Sequence, residues 1–531
     1  MSTSAESDLP LDPGSGAVPD EAGAAAGATS LRRDRLSMPE VLAQSVANAA
    51  PSAAMALLPL LVFLNAGNGT WVSFVVAVLL MVGVGYCASQ FAKRMNSAGS
   101  FYIWVSRAFG PTAGYVAGWG LQLGYVSTGV ATLTGFAIFG NDLLTHFGVP
   151  AENVWVWSIL YIIDFLLPVT VAILDIGLSA RTSLILESLS ITIILFLCVA
   201  IFVHKGTPFA GPELRLEGVA PSGIVVGVVL AIFAFVGFES AGSLGMEARN
   251  PHRAIGRAIL LSATIVGIFY IIVSYSQVWG FTGTSPGFAK SAAPMPDLAN
   301  IVGIAPLAPI IDLGLICGMF ACTLACINAG SRMAFTMAHD GMGVPALSRT
   351  HRTRRTPHVA IWTVAIPMFV VPFVLTLFGR SPIDMTGWSG TVATFGFMLA
   401  YVLVSIAAPI YLQRLGSPRL SVWVVGVVAA AVMVFVFWSS WLPQFIPGGL
   451  FPALEGVPLY LPYVFFAWMI AGLIWYLVFR ARDPARARDP AAVKFMDREN
   501  LVQFGGPACF KCEKDYSGAM AKRRCLGRVD S

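Results

Sequence analysis

The chain has 531 residues, of which 56% are hydrophobic and only 11% charged, whereas a soluble globule carries about 25% charged residues. A mean hydropathy of +0.74 leaves too few polar groups to clothe a water-facing surface. A soluble enzyme, a nucleic-acid binder and a disordered scaffold are therefore excluded. The net charge of +5 is small, and its distribution along the chain speaks of membrane orientation.

The first thirty residues are Ala, Gly, Pro, Ser and acids, a composition unable to bury a core. Residues 1–36 are expected to form a disordered cytoplasmic tail. They lack the basic start and apolar stretch of a signal peptide. Twelve apolar runs follow, at about 41–65, 70–92, 112–140, 153–174, 182–204, 221–245, 257–281, 307–338, 358–379, 388–412, 420–442 and 458–479. Each is near the ~20 residues that cross a bilayer as a helix. The expected fold class is an all-α polytopic membrane protein, with a membrane domain over 37–480 and a basic cytoplasmic tail over 481–531. The connectors 93–111 and 283–306 are expected to be amphipathic or partly helical.

Of the 33 lysines and arginines, a cytoplasmic N-terminus leaves only Lys205, Arg215, Lys290 and Arg380 outside. Seventeen lie in the N-terminal segment and inner loops, and twelve in the C-terminal tail. The bias puts both termini in the cytoplasm of a multi-pass plasma (inner) membrane protein. The eight cysteines form no extracellular framework: five lie in apolar runs, where the thiol is a small hydrophobe. Cys509-x-x-Cys512 looks like half a zinc site, but no second pair or histidine follows, so no metal and no cofactor are expected.

Ionisable residues inside spans are the first place to look for function. Asp164 in span 4, Glu187 in span 5 and Glu239 in span 6 stand out, and no lysine or arginine lies deep in any span. Asp312, near the outer end of span 8, reads as a solvated helix end. Asp164 and Glu187 have coupling and packing readings side by side. Span 6 runs Phe233-Ala234-Phe235-Val236-Gly237-Phe238-Glu239-Ser240, glycine and carboxylate at mid-membrane. That suits an unwound stretch lining a cavity. Span 1 carries Asn48-Ala49-Ala50-Pro51-Ser52, where proline removes an amide donor and crowds the preceding turn. Paired interruptions in spans 1 and 6 point to a transporter site at a repeat interface. The free amides that begin a second half-helix hold a carboxylate, and the free carbonyls that end a first half accept from an ammonium. A zwitterionic amino acid carries both groups on one carbon. Glu239 then either carries a coupling proton or braces the broken helix by accepting backbone N–H bonds.

Four stretches carry a family resemblance. They are Ala49-Ala50-Pro51-Ser52-Ala53 with Ala66-Gly67-Asn68-Gly69-Thr70, then Asn96-Ser97-Ala98-Gly99-Ser100-Phe101-Tyr102 with Phe109-Gly110-Pro111 and Gly114-x-x-x-Gly118-Trp119. Next come Gly237-Phe238-Glu239-Ser240 with Met246-Glu247-Ala248-Arg249-Asn250-Pro251-x-Arg253-Ala254-Ile255, and Ser331-Arg332 with His339-Asp340-Gly341-x-Gly343-x-Pro345 and Arg355-Thr356-Pro357. In this order the chain resembles a bacterial amino acid permease of the amino acid–polyamine–organocation (APC) superfamily, over about 40–480.

The resemblance implies a leucine-transporter-type fold of two inverted five-helix repeats, about 41–204 and 221–412, plus two further helices over about 420–479. It also implies a substrate site between broken spans 1 and 6, lined further by spans 3, 8 and 10. By motif position, Ala50, Pro51, Ser52 and Ala53 would offer backbone to a carboxylate. Phe235, Val236 and Gly237 would offer carbonyls and shape, and Phe233 would be an aromatic gate. Tyr125 on span 3 is added because a hydroxyl there would face the site. Some proton-coupled members carry a lysine in span 5, and this chain has none between 182 and 203. The hydroxyls of Ser190, Thr192 and Thr323 are candidates for a cation site, against the common habit of such hydroxyls of bonding their own backbone.

The function expected is a secondary active transporter that moves an amino acid or related amine by alternating access, coupled to protons or run as an exchanger. The alternatives are a polytopic intramembrane enzyme and a non-transporting receptor or channel. The six histidines all lie at span ends or in loops, which disfavours an embedded catalytic cluster. No phosphate-binding Gly-x-x-x-x-Gly-Lys loop occurs, which disfavours an ATP-driven pump. The partners expected are a small-molecule substrate, protons as candidate coupling ion and the lipid bilayer, with no nucleic acid.

Overall fold

The computed structural model describes residues 35–482 except 96–97, 151–152, 207–210, 286, 292–293 and 440–455. The expectations for residues 1–34, for the C-terminal tail and for Cys509 and Cys512 lie outside the described residues. Within them the chain is helical, with a single isolated β-bridge, Leu36 to Ala248.

The principal helices are α1 (Met38–Asn48), α2 (Pro51–Ala66), α3 (Thr70–Ala92), α4 (Ser100–Phe109), α5 (Pro111–Thr145), α6 (Val154–Leu174), α7 (Ile176–Lys205) and α8 (Pro221–Phe233). They continue as α9 (Pro251–Phe281), α10 (Pro294–Ile301), α11 (Ala308–His339), α12 (His358–Leu377), α13 (Pro382–Arg414), α14 (Leu420–Ser439) and α15 (Leu461–Arg482). Among the described residues, ten stretches are long and apolar enough to cross a membrane. One of them, Met38–Ala92, is 55 residues long and contains α1, α2 and α3, while α8 is a shorter apolar helix. The molecule is a multi-pass membrane protein.

Local chemistry sets the helix boundaries. Asn153 caps α6 by accepting from the Trp155 amide, and Asp175 caps α7 by accepting from Gly177 and Leu178. Proline opens α2, α5, α8, α9 and α13, where its missing N–H costs nothing. The connector 93–111 forms the amphipathic α4, and 283–306 contains α10.

Helix α5 runs through the middle, packed on α11 and α13. Glycine permits the closest approach: a Cβ at Gly396 of α13 would lie 2.4 Å from the Gly120 carbonyl of α5. Leu79, Trp155, Ile185 and Val203 are exposed on the outer faces, where the solvent for them is lipid.

Candidate functional site

The two sequence interruptions are two breaks in the structure, and they touch. Helix α1 ends at Asn48, and Ala50 takes a left-handed backbone, φ 44° and ψ 55°, before α2 restarts at Pro51. This conformation is uncommon for a residue with a Cβ. Helix α8 ends at Phe233, and the chain turns irregularly until a 3-10 helix begins at Ser240. At Gly237 φ is +93°, and a Cβ there would lie 2.1 Å from Asn48 Nδ2 and 2.8 Å from the Asn48 carbonyl. Glycine is required at this position by its backbone and by its neighbour. Asn48 Nδ2 donates to the Gly237 carbonyl at 3.2 Å. The Tyr270 hydroxyl reaches the carbonyls of Ala234 at 2.6 Å and Ala49 at 3.2 Å, one from each break.

Glu239 sits behind this junction, fully buried. Its Oε1 accepts from the Tyr125 hydroxyl at 2.9 Å and its Oε2 from the Tyr401 hydroxyl at 2.6 Å. Tyr401 in turn accepts from the Gly237 amide at 3.1 Å. The carboxylate therefore ties α5 and α13 to the unwound stretch through tyrosine hydroxyls, with its own backbone amide beside it.

Beside the breaks lies a cavity of about 110 Å³. Its walls come from the α1–α2 break and α2 (Asn48, Ala49, Ala50, Ala53, Ala54, Leu57, Leu58), from α5 (Thr128, Ala131, Thr132) and from the end of α8 (Phe233, Ala234, Val236). Met319 of α11 and Thr386, Gly390 and Ala393 of α13 complete it. No charged side chain lines it.

Of the sequence candidates, Ala50, Ala53, Phe233 and Val236 line the cavity, whereas Pro51, Ser52, Phe235, Gly237 and Tyr125 stand behind its wall. The Tyr125 hydroxyl faces Glu239 instead of the cavity. The sequence reading did not pick out Thr128, Thr132, Thr386, Met319 or Ala393. Thr128 and Thr132 share a face at helical spacing, a signal present in the sequence. Thr386 falls ahead of the predicted start of span 10, because α13 begins at Pro382.

The other intramembrane carboxylates separate by environment. Glu187 is buried against the Ser52 amide and hydroxyl, at the amino end of α2, and neither oxygen makes a hydrogen bond of normal geometry. Ser190 Oγ is also unpaired there. Thr192 bonds its own backbone at Ser188, and Thr323 is engaged by Asp164 and Thr132. Asp164 Oδ2 accepts from Thr323 Oγ1 at 2.8 Å, and Thr323 Oγ1 lies 2.9 Å from Thr132 Oγ1.

Asp312 departs from its solvated-end reading: it is fully buried, with Oδ2 3.3 Å from His146 Nε2. Arg332 is not deep in its span, as expected, but it is not solvated either. It lies within two turns of the end of α11, is fully buried and forms a two-pronged pair with Glu247, at 2.5 and 3.1 Å. The Ser331-Arg332 and Met246-Glu247 motifs held that pair in plain view. Among the described residues, no three His, Cys, Asp or Glu side chains gather as metal ligands.

The family profile described as "Amino acid permease" matches residues 40–488. The chain is 27% identical to the branched-chain amino acid permease BcaP of Bacillus subtilis, over 65% of this chain and 73% of that one. It is 28% identical to the protein of the same name from Lactococcus lactis, over 58% of this chain and 68% of that one. It is also 24% identical to the methylthioribose transporter of Bacillus subtilis, over 71% and 83% respectively.

Proposed function

The chain belongs to the amino acid permease family of the APC superfamily, as a membrane amino acid transporter and not an enzyme, and we propose that its cargo is a neutral amino acid with an apolar side chain. The observation that carries this reading is the cavity wall: alanine, glycine, leucine, valine, phenylalanine and methionine with Asn48 and three threonines, and no charged side chain. A fixed charge would be needed to neutralise a cationic or anionic side chain against so apolar a wall. A neutral zwitterion needs only the two breaks. The Ala53 amide, beside the Ser52 amide that faces Glu187, takes its carboxylate, and the Val236 carbonyl takes its ammonium, the Ala234 and Gly237 carbonyls being held by Tyr270 and Asn48. The names of the BcaP relatives favour the branched-chain class.

In this reading Ala50, Ala53, Phe233 and Val236 contact the substrate. Pro51, Ser52, Phe235 and Gly237 hold the broken backbone in shape, and Tyr125 and Glu239 brace it. Met38–Ala92 crosses the membrane twice, and α8 with the unwound turn and 3-10 helix completes a crossing. That makes twelve, arranged as inverted repeats over about 41–204 and 221–412 with two further helices over about 420–479. The positive-inside bias puts both tails, 1–36 and 481–531, in the cytoplasm of the plasma membrane. The cavity then lies toward the outer side, since its walls come from α2, the end of α8 and the first third of α13. Transport proceeds by alternating access, driven by a proton gradient or by exchange.

The test is uptake by the purified protein in liposomes, with labelled leucine, isoleucine, valine, arginine, glutamate and methylthioribose offered in turn. Leucine, isoleucine or valine is expected to give the highest uptake. Preferred uptake of arginine or glutamate would overturn the assignment.

A further inference from the structure

Four carboxylates are buried within the spans read from the sequence, Asp164, Glu187, Glu239 and Asp312, while Glu40, Glu213, Glu247 and Asp340 are buried outside them. Two of the four within the spans are committed: both oxygens of Glu239 accept tyrosine bonds, and Asp312 is paired with His146. Glu187 also lacks a hydrogen bond of normal geometry, but it faces the Ser52 amide and hydroxyl at the amino end of α2, away from any hydroxyl line to the cavity. Asp164 differs. It belongs to α6, a helix that contributes no residue to the cavity wall. Its side chain is fully buried, Oδ1 has no partner, and no ion pair among the described residues includes it. A bare carboxylate in that position is expensive, and such residues mark proton paths. Its one bond leads toward the cavity. Asp164 Oδ2, Thr323 Oγ1 and Thr132 Oγ1 form an unbroken line with steps of 2.8 and 2.9 Å, and Thr132 is in the cavity wall.

We propose that Asp164 takes up and releases the coupling proton, and that the hydroxyls of Thr323 and Thr132 connect it to the substrate cavity. This inference rests on the transporter reading above. Each hydroxyl has one proton, so the line has a direction; each also reaches a carbonyl of its own helix, Met319 from Thr323 at 3.1 Å and Gly129 from Thr132 at 3.3 Å, both longer than the steps of the line. With Asp164 ionised, Thr323 donates to the carboxylate and Thr132 donates to Thr323, which leaves only lone pairs toward the cavity. With Asp164 protonated, the line reverses: Asp164 donates to Thr323, Thr323 to Thr132, and Thr132 offers its proton to an acceptor oxygen of the substrate. Protonation therefore adds a donor for the substrate, and the substrate in turn holds the proton, the reciprocity that symport requires.

In the loading step a hydronium ion in the cavity gives its proton to Thr132 Oγ1. Thr132 passes its own proton to Thr323, and Thr323 passes its own to Asp164 Oδ2. One O–H bond forms on Asp164, one breaks on the hydronium ion, and each hydroxyl ends with one proton. Release is the reverse, to water. Cys322, next to Thr323 on α11, is the titratable neighbour that faces Asp164. Tyr161, on α6 itself, is turned to Thr376 of α12. The other helices packed on α6, α5 and α7, bring no titratable group to Asp164 among the described residues.

The experiment uses the full-length protein in liposomes with labelled leucine. Asp164→Asn is expected to keep leucine counterflow within about threefold of wild type, while proton-driven accumulation falls at least about tenfold, as loss of a coupling free energy requires. Its pH dependence should flatten, and leucine-driven acidification of the lumen should stop. Thr323→Val keeps the carboxyl but cuts the line, and should produce the same split. If Asp164→Asn does not fold, Thr323→Val decides. Thr363→Val, an exposed hydroxyl bonded to its own helix, is the control.

Undiminished accumulation in Asp164→Asn or in Thr323→Val would overturn the proposal. So would equal loss of counterflow and accumulation in both. Infrared difference spectra between acid and alkaline media need no substrate: a protonated-carboxyl band present in wild type should be absent from Asp164→Asn. If wild type moves no leucine but shows that band, the substrate reading fails and the proton site stands. If the band is unchanged by Asp164→Asn, the proton site fails.

Discussion

The two ends of the helix bundle are held together differently. At the cavity end, α2, α8 and α13 meet mainly through small and apolar side chains, and the polar contacts there, Thr134 with Thr386 at 2.8 Å and His146 with Asp312, join α5 and the residue that caps it to α13 and α11. Phe233 presses so closely on α13 that a Cβ at Gly390 would lie 2.4 Å from its ring. At the opposite end the contacts are directional. Arg332 pairs with Glu247 and also donates to Asn328, which itself donates to Ser179 of α7. The Glu247 carbonyl accepts from the amides of Arg35 and Leu36, and the Arg249 amide donates to Leu36, so the chain ahead of α1 is laced to the segment after the second break. Tyr102 of α4 donates to Asp340 at 2.9 Å. Burial, then the Asp340 charge, pushes the Tyr102 phenol well above its usual range, which keeps it a donor. Apolar surfaces part without leaving a charge unpaired, whereas parting the buried ion pair strands two charges away from each other. A carrier built this way has one end ready to open and one end that must be unlocked.

The largest effect is expected where the locked end is broken. Arg332→Ala leaves Glu247 buried without its partner, a change that costs about 3–5 kcal/mol. Purified Arg332→Ala should melt well below wild type and show little uptake. The double variant Arg332→Met, Glu247→Leu should recover much of the melting temperature without recovering transport. A wild-type melting curve for Arg332→Ala would remove the ion pair from the contrast between the ends. The open end is broken by filling it. Ala393→Phe puts a ring into a cavity of about 110 Å³. Leucine uptake should be lost while the melting temperature stays near wild type, and retained uptake would move the substrate elsewhere.

Much of the contrast was legible in the sequence. Proline after two alanines and glycine before a glutamate marked both breaks, because each changes the backbone itself. Charge asymmetry gave an orientation, since it needs only a count. The side chains of the site were harder to see. A transmembrane helix is apolar all round, so its pattern does not say which face meets protein and which meets lipid. Tyr125 was chosen for a hydroxyl toward the cavity, and that hydroxyl is turned to Glu239. Asp312 looked like a helix end in water, because sequence position does not reveal that His146, just past the end of α5, lies against it. Arg332 and Glu247 lie 85 residues apart, and only the fold brings them together.

The junction between the two ends is the next point at which to test the contrast. Gly237→Ala must hold φ near +93° with a Cβ 2.1 Å from Asn48 Nδ2, a strain of about 1–3 kcal/mol. Uptake is expected to fall about tenfold, because every 1.4 kcal/mol is worth that factor. Wild-type uptake would mean that the breaks need not touch.

The smallest effect is expected at Glu239, which braces the junction from behind. Its carboxylate accepts two tyrosine hydroxyl bonds, at 2.9 and 2.6 Å. In Glu239→Gln one oxygen can still accept from one tyrosine, but the amide nitrogen now faces the other as a donor. If that tyrosine is Tyr401, its oxygen then receives the glutamine amide as well as the Gly237 amide, and its own proton loses its acceptor. A charge-assisted bond is replaced by a neutral one, a loss of about 1 kcal/mol. On the bracing role, exchange and proton-driven uptake should fall together, by about three- to tenfold, and Tyr401→Phe should reproduce the loss. If Glu239 were instead the proton carrier, exchange would persist in Glu239→Gln while accumulation and its pH dependence vanished. That result would transfer the coupling proton from Asp164 to the junction itself. Unchanged accumulation would leave Glu239 a packing residue and the two breaks held by Asn48 and Tyr270 alone.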